Sequence, residues 1–270
     1  MSRTENPRVL ITGASSGIGA ALAEEYARRG ARLLLLARRT ERLAELAQRL
    51  RPTGAEVSIQ TADVTHDGDV ASAIAGWAGE SGVDIVIANA GYSVTGPLTR
   101  LSLADYRRQF ETNVFGVLRT VQESLPALRA AHGRLVIIGS VAGYVAAPGA
   151  SAYAMSKFAV RALAESLRGE LGREGIGVTL VSPAYVDSDI RRTDNRGLFH
   201  AGASDPIPAW LRMRTPQAAR VIARAIARGQ DEVIVTFHGK LLVFIARHFH
   251  RTLRTVVRRI GWRPEARTKD

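Results

Sequence analysis

The apolar run Val9-Leu10-Ile11 ends in Thr12-Gly13, glycine recurs at 17 and 19, and a helix-forming stretch, Ala20–Arg29, follows until Gly30. This order predicts a buried strand, a tight turn and a helix in succession. The alternation continues. Strands are predicted at Arg32–Ala37, Val57–Ala62, Val83–Ala88, Arg134–Gly139, Gly177–Ser182 and Glu232–Phe237. Helices are predicted at Arg39–Leu50, Asp69–Gly79, Leu103–Leu128 (interrupted or bent near Gly116 and Pro126) and Ala152–Gly172, with another starting at Thr215-Pro216, a cap residue followed by Pro at the first position. Strands alternating with helices imply an α/β fold, a doubly wound parallel sheet of about seven strands with helices on both faces. Such sheets bind ligands beyond the carboxyl ends of their strands. Thr12, Ala37, Asp63, Asn89, Ser140 and Pro183 stand at those ends.

The spacing Gly13-x-x-x-Gly17-x-Gly19 lets a backbone turn sharply and approach a pyrophosphate, whose charge a helix N-terminus favours. The second strand ends in Ala37-Arg38-Arg39. A carboxylate there would bond a ribose 2′-hydroxyl, whereas two guanidinium groups suit a 2′-phosphate, so NADP(H) is expected over NAD(H). Asp63 could bond an adenine amino group or cap the next turn.

Tyr153 and Lys157 lie four residues apart, one turn of a helix, downstream of Ser140. An ammonium beside a phenol is expected to favour the phenolate, and a phenol tuned toward neutrality can exchange a proton with an alcohol oxygen. Beside a nicotinamide, that is half of a carbonyl/alcohol redox reaction.

The 270 residues suffice for one large domain. No cysteine is present, which excludes disulfides, thiolate metal sites and thiol catalysis. His248 and His250, flanking Phe249, are too few for a metal site. The start, Met1–Pro7, has no apolar signal core, and no apolar run reaches the roughly 18 residues of a membrane span. These features predict a cytoplasmic protein. The net charge is +12, and the last 24 residues hold eight Lys/Arg against two Asp/Glu. Leu242, Ile245, Phe249, Leu253, Val256 and Ile260 recur beside Arg247, Arg251, Arg254 and Arg258, the pattern of a basic amphipathic helix. It fits a helix folded on its own domain or another subunit, or one lying on the inner surface of a membrane. Nucleic acid is not expected as a partner.

Together these residues resemble the short-chain dehydrogenase/reductase family over about 1–240. The motifs are Thr12-Gly-Ala-Ser-Ser-Gly-Ile-Gly19, Asp63-Val64, Asn89-Ala-Gly91, Asn113, Ser140, Tyr153-Ala-Met-Ser-Lys157 and Pro183-Ala-Tyr-Val186. The resemblance implies a Rossmann-type sheet and a tetrad of Asn113, Ser140, Tyr153 and Lys157. Tyr153 would be the general acid or base. Lys157 would lower the Tyr153 pKa and hold the nicotinamide ribose, Ser140 would bond the substrate oxygen, and Asn113 would help hold a proton-relaying water. The cofactor would contact Gly13, Ser15, Ser16, Gly17, Ile18, Gly19, Arg38, Arg39, Asp63, Val64, Asn89, Ala90, Gly91, Tyr153, Lys157, Pro183, Val186 and Ser188. Two positions depart from the family: Ala184 replaces a frequent glycine, with a methyl expected to reshape the nicotinamide pocket slightly, and Ser188 replaces the usual threonine.

The expected organisation is a catalytic domain over 1–239, with a substrate loop over about 187–214, and a basic helical tail over 240–270. Trp210 and Phe199 could form an apolar lid on that loop or pack on the core. Arg191, Arg192 and Arg196 could attract an anionic carrier or stay solvated. The expected activity is an NADP(H)-dependent interconversion of a ketone or aldehyde and an alcohol on a lipophilic small molecule, by a homodimer or homotetramer. The rival is a non-catalytic NADP(H)-binding regulatory or membrane-surface protein of the same fold.

Overall fold

The computed structural model describes residues 6–200, 202–205, 207–249, 251, 253 and 255. Seven parallel strands form one sheet in the order β3-β2-β1-β4-β5-β6-β7. They are β1 Arg8–Thr12, β2 Arg32–Ala37, β3 Val57–Thr61, β4 Ile85–Ala88, β5 Arg134–Ile138, β6 Gly177–Ser182 and β7 Glu232–Ile234. The order reverses between β1 and β4, the switch point where such sheets bind ligands. Val9 of β1 is in register with Leu33 of β2 and Ile85 of β4, so the glycine turn emerges at the centre of the carboxyl edge.

Alternate residues of the strands supply the core on each face. Val9, Ile11, Leu33 and Leu35 pack on one side with α1 Gly17–Ala27, α2 Thr40–Leu50 and α7 Thr215–Ala227. Leu10, Leu34, Val86 and Leu135 pack on the other with α3 Asp69–Ala75, α5 Gly116–Ala131 and α6 Ser151–Gly172. The central strands are apolar almost throughout because both their faces are covered.

The long helical stretch from Leu103 is α4 Leu103–Phe110, a π-type turn over Glu111–Phe115, and α5. The irregularity expected near Gly116 is thus a π-type turn ending just before it, while Pro126 sits inside α5 without ending it. Thr215 does not cap α7; that place belongs to Arg214, and the Thr215 hydroxyl donates to the carbonyl of Asp187.

At the C-terminus, β7 is shorter than expected and helix α8, Phe237–His248, begins three residues before 240. Its cap is Thr236, whose hydroxyl accepts from Gly239 N at 3.2 Å. Gly239 and Val243 face inward, while Phe237, Leu241 and Phe244 face outward. The remainder of the expected stripes, including Val256, Arg258 and Ile260, lies outside the described residues.

Candidate active site

The glycine turn is built from positions where a side chain would collide. Gly13 has φ +66°, and a Cβ there would meet Ala90 Cα at 2.7 Å. One on Gly19 would meet Gly13 O at 2.5 Å, so the helix start is pressed onto the strand end. Asn89 braces this turn from the neighbouring strand, its amide nitrogen donating to the carbonyls of Thr12 at 2.9 Å and Gly13 at 3.1 Å. The Thr12 hydroxyl accepts from Asn89 N and Ala90 N at 3.1 and 3.2 Å. A Cβ on Gly91 would meet Asn113 Oδ1 at 3.0 Å. Val64, buried, fits against Gly116.

Arg39 folds back over the turn. It donates to Ser15 Oγ at 3.0 Å and Ser16 Oγ at 2.9 Å. Burial, and then the positive charges of Arg42 and Arg38, hold its pKa below the ordinary arginine value, against an opposing pull from Asp189. Three guanidinium groups thus crowd one corner of the turn. Arg42, which no motif in the sequence marks, pairs with Asp189 at 3.1 Å and lies over the Phe199 ring at 4.8 Å. Arg38 is exposed, 3.8 Å from Asp63. The other Asp63 oxygen accepts from Thr65 N and Oγ1, so the carboxylate organises its own turn. Backbone openings that only glycine leaves, with cations beside them, fit a dinucleotide pyrophosphate and a further phosphate. A cleft of about 340 Å³ beside the turn is lined by Gly17, Ser188, Asp189 and Arg192, but by none of Ser140, Tyr153 and Lys157.

Ser140, Tyr153 and Lys157 meet where β5 delivers its carboxyl end to α6. Ser140 is extended and caps a short turn, Val141–Gly143, its hydroxyl accepting from Ala142 N at 3.1 Å. Its hydroxyl also acts on the Tyr153 phenol, favouring the phenolate. Lys157 is buried, and its Nζ donates to Ile138 O at 2.9 Å. The same nitrogen is 5.7 Å from the centre of the Tyr153 ring.

The Tyr153 pKa is raised rather than lowered, contrary to the expectation drawn from its spacing to Lys157. Burial pushes the phenol above its ordinary value, and the hydrogen bond from Ser140 and the charge of Arg191 only partly oppose it. Burial also pulls Lys157 down to about 8. A low-dielectric setting disfavours phenolate and ammonium alike.

Asn113 is fully buried in the π-type turn. Its Oδ1 accepts from Tyr92 N at 3.1 Å, and its Nδ2 donates to Tyr92 O at 2.9 Å and Ser156 Oγ at 3.2 Å. Its side chain therefore ties the loop after β4 to α6.

The loop from 187 is strapped down on both sides. Arg191 holds the buried Asp205 with two bonds of 2.7 Å, and Arg212 reaches the same carboxylate at 3.2 Å. Asn195 exchanges two hydrogen bonds with the backbone of Thr95, at 3.0 and 2.9 Å. Arg191 is thus a clamp inside the loop. Trp210 is 84% exposed and does not pack on the core, whereas Phe199 lies beneath Arg42. Val186 is buried and bridges to Met213. Pro183 O accepts from Val141 N at 2.9 Å, joining the β6 end to the Ser140 turn. The Ala184 methyl lies 3.2 Å from where a Cβ would stand on Gly239, so it faces the tail helix.

Known proteins show the same organisation. The family profile described as short chain dehydrogenase matches residues 7–198. The 11-beta-hydroxysteroid dehydrogenase A of Sesamum indicum is 35% identical over 237 residues, covering 83% of this chain and 67% of that protein. A short-chain dehydrogenase/reductase from Burkholderia phymatum in complex with NAD superposes with TM-score 0.81 at 26% identity, covering 95% of this chain and 97% of that one. A short-chain dehydrogenase from Sphingobium yanoikuyae in complex with NADPH gives TM-score 0.75 at 30% identity, covering 96% and 98%. The sheet order, the glycine turn and these likenesses agree: this chain belongs to the short-chain dehydrogenase/reductase family of nicotinamide-dependent oxidoreductases.

Proposed function

We propose that the protein is an NADP(H)-dependent oxidoreductase that interconverts a ketone or aldehyde with an alcohol on a lipophilic small molecule. The observation that carries this reading is the meeting of Ser140, Tyr153 and Lys157 at the sheet edge that also bears the glycine turn and its arginines. Gly13, Gly17 and Gly19 would admit the pyrophosphate, and Arg38 and Arg39 would hold the 2′-phosphate. NADP(H), when bound, supplies or accepts the hydride.

The chain's own residues manage charge and protons. As a carbonyl oxygen gains negative charge, Ser140 and Tyr153 donate to it, and Tyr153 gives up its proton. The raised phenol pKa keeps that proton in place until the oxygen becomes basic. Lys157, pulled to about 8, can pass a proton near neutral pH. In the oxidative direction Tyr153 receives the alcohol proton. Ser188, Pro183 and Val186 would border the nicotinamide. Asn113 positions α6 against the loop after β4.

Leu198 and Trp210, both exposed on the loop beyond the site, support a lipophilic substrate. Leu103, Phe115, Met155 and Phe158 are exposed on α4, α6 and the π-type turn, which supports a homodimer or homotetramer through those helices. The outward row Phe237, Leu241 and Phe244, with the basic residues after 247, supports contact between the tail and an anionic membrane surface. No helix among the described residues is long and apolar enough to cross a membrane. The test is NADPH oxidation against a panel of ketones and aldehydes. Tight NADPH binding with no turnover on any of them would overturn the catalytic reading.

A further inference from the structure

Tyr144, Glu232 and Arg247 join three distant parts of the chain: the turn that carries Ser140, the last strand, and the tail helix. Ser140 caps the turn Val141–Gly143, and Tyr144 ends it. The Tyr144 hydroxyl donates to Glu232 Oε1 and lies 3.4 Å from Ser182 Oγ at the end of β6. Arg247 Nη2 reaches both Glu232 oxygens at 2.8 Å. The guanidinium carbons of Arg161 and Arg247 stand 4.2 and 5.4 Å from the centre of the Tyr144 ring.

The other side of the turn is held by α6, the helix that bears Tyr153 and Lys157. Arg161 donates to Gly143 O at 3.3 Å. Gly143 lies so near the helix that a Cβ there would be 2.7 Å from Lys157 O. The Ser140 turn is therefore gripped between α6 and the Glu232–Arg247 pair. The Ala184 methyl against Gly239 brings the tail helix to the loop after β6 as well. Burial works against the Glu232 charge, but Arg247 and Tyr144 outweigh it and keep the carboxyl below its ordinary value. Burial, then Glu232, pushes Tyr144 up to about 12, so its hydroxyl remains a donor at physiological pH.

We propose that Arg247 is a positioning residue for catalysis: through Glu232 and Tyr144 it fixes the turn that presents Ser140, making helix α8 a working part of the active site. This rests on the reading of Ser140 as a donor to the substrate oxygen. Without the guanidinium, Glu232 recruits water, Tyr144 loses its fixed acceptor, and the turn gains freedom. A donor displaced by about 1 Å can cost on the order of a hundredfold in rate.

Two measurements on the full chain test this. Hydrogen exchange reads the amides of residues 142–144 without any substrate. Steady-state kinetics use NADPH with 9,10-phenanthrenequinone as the carbonyl probe. Arg247→Gln should speed exchange at 142–144 about tenfold while leaving residues 8–30 unchanged. It should also lower kcat about tenfold at an unchanged KM for NADPH, with Arg247→Lys restoring most of the loss. Tyr144→Phe should reproduce both effects, and the double variant should be no worse than either single one. Unchanged exchange at 142–144, or equal acceleration across the whole chain, overturns the proposal. A wild-type protein that oxidises no NADPH with the quinone or any ketone overturns the parent reading of the site, while the exchange arm still decides whether Arg247 holds the turn.

Discussion

Lys157 Nζ stands 5.7 Å from the centre of the Tyr153 ring and gives its hydrogen bond to Ile138 O at 2.9 Å. The lysine is thus anchored to the end of β5 rather than to the phenol. Its burial has a measurable consequence for stability. Its folded-state pKa of about 8 lies below its unfolded value. Between the two, the unfolded chain binds more protons, so stability rises with pH from 8 toward 10. The full rise is on the order of 3 kcal/mol. Tyr144 and Tyr153, with raised pKa values, act in the opposite sense above pH 10. Urea unfolding of the cofactor-free protein at pH 7.5, 9 and 10 should show the rise, and Lys157→Met should flatten it. An identical slope in both proteins would remove Lys157 as its source.

Tyr153→Phe deletes the proton and keeps the ring. Turnover should fall by about a hundredfold or more, the usual worth of a positioned general acid. NADPH affinity, read by nicotinamide fluorescence, should stay within about threefold of wild type. Retained turnover would move the acid to another group.

Arg38 and Arg39 should discriminate between cofactors. Charge-assisted hydrogen bonds to a phosphate are worth about 1.5–3 kcal/mol each. Replacing both by glutamine should therefore weaken NADPH about a hundredfold and NADH only severalfold. Equal losses for the two cofactors would refute a 2′-phosphate site at this corner.

Gly19→Ala places a methyl 2.5 Å from Gly13 O. Because the neighbour is backbone and cannot rotate away, the cost should be about 1–3 kcal/mol, with a lower Tm and loss of NADPH binding. A variant that keeps both would show that the turn has slack the structure does not display.

The outer face of α8 should meet lipid. The full chain should float with vesicles containing phosphatidylglycerol and not with pure phosphatidylcholine, and high salt should weaken the association. Leu241→Glu with Phe244→Glu should reduce binding at least about tenfold, since each buried apolar side chain contributes about 1.5–3 kcal/mol. Equal flotation of the double variant would sink the membrane reading. A dimer that the same variant dissociates would assign the face to a second copy of the chain.

The strand–turn–helix alternation, the glycine spacing and the Tyr153–Lys157 interval were legible in the residues because each depends on local rules: strand and helix periodicity, positive φ at glycine, one helical turn between side chains. From these came the sheet, the carboxyl-edge site and the reaction class. What tertiary structure alone decided depends on distance through space. No local rule places Arg42 of α2 against Asp189, ties Asn195 to Thr95, or sets Arg247 on Glu232 beside the Ser140 turn. The sign of the Tyr153 shift was also out of reach, since only packing supplies the desolvation that raises it and the Ser140 and Arg191 side chains that partly oppose it.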